Sequence, residues 1–70
     1  MLPDIFARMG DVELMGELRR IASLAGQRGD LPTARQASTL FDAFYAHRLR
    51  RTVPEWVWED SRAFVRQHAN

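Results

Sequence analysis

The stretch from Thr33 to Trp58, TARQASTLFDAFYAHRLRRTVPEWVW, constrains the fold of this chain more than any other. Within it Ala37, Leu40, Phe41, Phe44 and Tyr45 recur at i, i+3, i+4 and i+7, the spacing of a helix that lays one face on a core. All but Ala37 are large, so the core is expected to form against this helix. Thr33-Ala34-Arg35-Gln36 matches a capping box, in which the threonine oxygen meets the fourth N–H and the glutamine reaches back. Asp30 is the competing cap. The helical pattern runs to about Arg51. Val53 precedes Pro54 and is thereby pushed out of helical geometry, which places a corner at Thr52-Val53.

The remaining segments are short enough to pack on that helix. Leu2 to Met9 reads as a short N-terminal helix, with Pro3 and Asp4 suited to its first turn and Ile5, Phe6 and Met9 forming an apolar patch. Gly10 ends it. Asp11 is the expected cap of a second helix running to about Ala25, with Leu14, Leu18, Ile21 and Ala25 inward and Met15 and Ala22 on one flank. Glu17 and Arg20 form an i,i+3 pair on its outer side. Gly26, Gly29 and the turn Asp30-Leu31-Pro32 make a short connection, so this helix and the next should form an antiparallel hairpin. Pro54 opens the last helix, whose inward stripe is Val57, Ser61, Phe64 and His68, flanked by Trp58 and Val65. Its acids lead and its arginines trail, which suits the helix dipole. No segment carries strand alternation or a hairpin turn. The expected fold is all-α: one domain over 1–70 with four helices, the first of them short.

Seventy residues bury too little surface to be more than marginally stable without a staple. With no cysteine, disulfides and thiolate-bound metals are excluded, and a reducing, cytoplasmic setting is the natural expectation. His47 and His68 have no metal-ligand spacing, so neither metal nor cofactor is expected. The remaining staple is another polypeptide, either a second copy in a homodimer or a larger protein. No apolar run approaches the length of a membrane span. Ten basic against nine acidic residues leave a net charge of +1, too little to draw the chain to nucleic acid by its overall field. Every basic residue is arginine, which suits a bacterial or phage origin with GC-rich coding.

Catalytic chemistry finds little to work with. Glu55 and Glu59 share a face, with Asp60 beside them, but carboxylates in the first turns of a helix serve its dipole. The serines lack any glycine-framed setting, and no phosphate-cradling loop occurs. No catalytic residue is assigned. The densest basic run, His47-Arg48-Leu49-Arg50-Arg51, makes Arg48, Arg50 and Arg51 the candidate nucleic-acid contacts, expected to bind weakly and with strong salt dependence. Arg48 points into the apolar face of its own helix, so it must snorkel out, pair with an acid or meet a partner. Trp56 and Trp58 sit about 200° apart on a helix and cannot share one core. Trp58 borders the inward stripe and is the one expected in the core. Trp56 either covers the corner by folding back onto the N-terminal helix or is an exposed anchor, of the residue type most enriched at interface hot spots.

The segment Arg48-Leu49, then Val53-Pro54, then Val57-Trp58 resembles the C-terminal region of the Hha/YmoA family, whose last helix follows an Ile/Val-Pro step with a Val-Trp pair shortly after. Chain length and helix order are also similar. The resemblance implies a small non-enzymatic co-regulator that binds a larger DNA-binding protein. The acid by which that family holds the nucleoid protein H-NS falls near Ser38, with Asp42 the nearest substitute. This chain carries a longer tail, from Glu59 to Asn70. The expected function is thus a protein-interaction module that modulates a larger regulator, as co-regulator or inhibitor, with Asp42, Tyr45, Arg48 and Trp56 as its contact residues. The alternative is direct, weak DNA binding through the basic run.

Overall fold

The computed structural model describes residues 8–48 and 52–68. Among them are three helices and no strand: α1 (Asp11–Gln27), α2 (Leu31–Arg48) and α3 (Glu55–His68). The expected N-terminal helix over Leu2–Met9 lies mostly outside the described residues. Arg8 is in a 3₁₀ turn, and Met9, no longer helical, packs against the core.

Gly10, not Asp11, stands at the cap of α1. It is extended (φ −77°, ψ 178°), and its carbonyl accepts from the Leu14 N–H at 3.0 Å. Asp11 is already helical, so its side chain is turned to other work: Oδ1 accepts from the Val12 N–H at 2.8 Å. The expected pair on the outer side of α1 is present, with Arg20 reaching Glu17 Oε2 at 2.6 and 3.0 Å.

The end of α1 explains why the hairpin is so tight. Helix α1 runs past Ala25 to Gln27 and closes in a Schellman motif. The Asp30 N–H donates to the Ala25 carbonyl at 2.8 Å, and the Gly29 N–H to that of Gly26 at 3.1 Å. Gly29 takes φ +75°, a backbone conformation that costs glycine nothing and other residues a good deal. Asp30 then opens α2 at once: its carboxylate accepts from the Thr33 N–H at 3.3 Å and its carbonyl from the Ala34 N–H at 3.1 Å. Asp30 therefore prevails over Thr33 as cap. Leu31 and Pro32 form the first turn of α2, not a loop, because proline's missing N–H costs nothing there.

Hydrogen bonds from the Thr33 hydroxyl and then its backbone N–H hold the Asp30 carboxyl below its ordinary 3.8, with smaller help from His68 and Arg28. The folded value is depressed, so this contribution is complete above the unfolded value and disappears as pH falls through the folded one. Asp30→Ala should lower the melting temperature at neutral pH. It should also reduce the fall in melting temperature between about pH 5 and 3. Melts across that range check it; an unchanged acid slope would count against Asp30 as the cap.

Chain direction makes α1, α2 and α3 an up-down-up bundle, with α3 returning to the hairpin bend, where His68 lies beside Arg28, Asp30 and Thr33. The core is Leu14, Met15, Leu18 and Ile21 from α1, Ala37, Leu40 and Phe44 from α2, and Val57, Phe64 and Val65 from α3. The inward stripe expected of the last helix is observed, with Ser61 fully buried within it and His68 half-buried. On α2 the buried face is narrower than expected. Phe41 is half-buried and Tyr45 is 55% exposed, because α3 packs on the other flank of Phe44 and leaves Tyr45 at the rim.

Candidate interaction surface

Arg48 meets an acid. Its Nε lies 3.1 Å from Asp11 Oδ2, joining the last turn of α2 to the first turn of α1 at the open end of the hairpin. Both charges complement the dipole ends on which they stand. The pair is half-exposed, so its net stabilisation is small. It fixes register, however, and engages the one described arginine of the three proposed for nucleic acid. Arg50 and Arg51 lie outside the described residues.

The two tryptophans divide as their phase on the helix requires. Trp58 is half-buried, set edge-on against Phe44 with centroids 5.0 Å apart and planes at 89°. The Arg62 guanidinium lies 5.0 Å from the ring centroid, a cation–π contact that covers the indole from outside. Trp58 is therefore a lid on the core, not a member of it. Trp56 is 52% exposed on the first turn of α3, beside the corner at Pro54.

Asp42 and Tyr45 are a turn apart on α2 and both exposed. Asp42 lines a groove of about 260 Å³ between α1 and α2, opposite Arg19, with Leu18, Ala22 and Phe41 as its floor and Ser38 on its wall. Asp42 and Tyr45 are expected contact residues; Arg19, which with Arg20 is the second basic patch of the sequence, was not expected among them. The signal was available, since Val12 and Arg19 are seven apart on one face of α1. Trp56 stands apart from this groove, on α3. A smaller cavity of about 130 Å³ at the hairpin bend gathers Arg20, Arg28, Asp30, Thr33 and His68.

Among the described residues no group of three or more histidines and carboxylates converges as a metal site would require. No helix of the described residues is long and apolar enough to cross a membrane. Comparison with models of protein families, with curated proteins and with solved structures found no match to this chain.

Proposed function

We propose that this protein is a small, non-enzymatic interaction module that docks on a larger regulatory protein in the cytoplasm and modulates it. The observation that supports this most is Trp56, a large indole left half in water on a rigid helix. Such a residue loses little conformational freedom on binding, and it gains a full desolvation when a partner pocket receives it. Tyr45, near the end of α2, adds a second exposed aromatic at the open end of the bundle. The Hha-like order of Val53-Pro54 and Val57-Trp58 places Trp56 between the elements of that resemblance. Direct DNA binding is the alternative, and it now depends on Arg50 and Arg51, since Arg48 is paired with Asp11.

The test is retention of host proteins on the immobilised chain, wild type beside Trp56→Ala, with and without nuclease. Trp56→Ala should melt within a few degrees of wild type, because its ring is half-exposed. It should weaken capture of a specific protein by about 2 kcal/mol or more, roughly thirtyfold. Retention that vanishes with nuclease and ignores Trp56 would support the DNA reading instead. No difference between the two resins would remove Trp56 from the interface.

A further inference from the structure

The groove belongs to a larger face that α3 leaves bare. On α1, Val12, Gly16, Arg19, Ser23 and Gly26 follow at i, i+4, i+7, i+11 and i+14, and all are exposed. On α2, Leu31, Arg35, Ser38, Asp42 and Tyr45 follow at the same spacing, and all are exposed. Val12, Leu31 and Tyr45, at 59%, 60% and 55% exposure, are three of the five large apolar residues left in solvent among the described residues. The two stripes differ in size. That of α1 is mostly small, and a Cβ added at Gly16 or Gly26 would meet nothing within 4 Å. That of α2 carries the bulk, with Leu31 near one end and Tyr45 near the other.

We infer that a second copy of this chain covers the face, related by a two-fold axis lying along the groove. The Asp11–Arg48 pair sets the register of the hairpin, so that Leu18 stands level with Phe41 in the groove floor. A two-fold along the groove then lays α1 of each copy over α2 of the other, antiparallel. Bulk meets space: the partner's Tyr45 falls over Val12 and Gly16, and the partner's Leu31 over Gly26. Charge meets charge: Arg19 faces the partner's Asp42, twice over by symmetry. Arg35 comes over the partner's last turn of α1, which has no basic residue of its own to complement its dipole. The other face-to-face two-fold, across the groove, stacks α1 on α1 and sets Arg19 against the partner's Arg19. Charge selects the first arrangement.

This assignment goes beyond the reading of Trp56, which lies on α3 away from the face; the two share only Tyr45, and variants at Arg19, Asp42 and Gly16 test the dimer apart from Trp56. A face this polar predicts a weak dimer, so wild type should move from monomer to dimer in sedimentation equilibrium over roughly 1 to 500 µM. Arg19→Asp and Asp42→Arg should each weaken self-association by about tenfold or more, since each makes two like-charge contacts. Mixed in equal amounts, the two variants should form a heterodimer far better than either alone, because every 19–42 contact between the copies is again opposite in sign. Gly16→Leu should keep or raise the monomer's helicity and melting temperature, given the open space at that position, while abolishing the dimer. A wild type that stays monomeric throughout overturns the inference. So do single variants that dimerise like wild type, or a mixture that does not recover the dimer. Capture that is the same for wild type and Trp56→Ala, with the dimer intact, would overturn only the functional reading.

Discussion

Phe44→Ala is expected to remove a large part of this protein's stability. Phe44 has no exposed surface and is among the largest fully buried side chains. It lies where the third helix meets the second, under the edge of Trp58. Truncation removes the transfer free energy of the ring and leaves a cavity that helices fixed by a tight turn and an ion pair cannot fully close. Such changes cost about 3–5 kcal/mol. That total includes the T-shaped contact with Trp58, worth about 0.5–1.5 kcal/mol beyond area. A domain of this length has only roughly 4–10 kcal/mol in hand. Urea titration followed by far-ultraviolet circular dichroism reads the effect. Trp58→Ala should cost distinctly less, because that ring is only partly buried and borders the core, with Arg62 over it. If Trp58→Ala proved the more damaging, the core would be centred on α3 and not on α2.

How far the fold could be read from the residues depended on how many partners each feature needed. The inward stripe expected of α3 was Val57, Ser61, Phe64 and His68. Periodicity alone gives the first three, which the structure buries, while His68 at the helix end is half-buried and the flanking Val65 is buried instead. The inward residues of α1 were legible for the same reason. Helix starts were less so. Asp30 and Thr33 are both good caps three residues apart, and only the Schellman closure of α1, which draws Asp30 into place, decides between them. Tyr45 was misplaced because a helical wheel shows the width of an apolar face but not the side from which a third helix arrives. Arg48 was narrowed to three outcomes, and the tightness of the hairpin selected one by bringing Asp11 to it. Arg19 was legible only as half of a basic patch with Arg20, because a groove is a property of two helices and its significance lies in the helix opposite. The resemblance to the Hha/YmoA family rests on the sequence of the corner and the last helix.

Ser61→Ala is expected to stabilise the protein, the reverse of what a substitution at a fully buried position usually does. Ser61 is completely buried in the stripe between Val57 and Phe64, and its Oγ has no hydrogen-bond partner. A hydroxyl held there has given up its water and received nothing in return, which costs about 1–3 kcal/mol. Alanine keeps the Cβ and removes only the oxygen, so the cavity it leaves is smaller than a methyl group. Alanine is also the better helix former by a few tenths of a kcal/mol at an interior position. The sum is a gain of about 1–2 kcal/mol, and in a domain of this size each kcal/mol raises the melting temperature by roughly 4–8 °C. The urea midpoint should rise with an unchanged slope, since neither the surface exposed on unfolding nor the denatured chain is altered. The opposing outcome has a definite physical meaning. If Ser61→Ala destabilises, the hydroxyl donates to a helix carbonyl, a bond serine readily makes to the residue four back. Its burial would then be a satisfied one, and α3 would owe part of its seating on α1 and α2 to that oxygen.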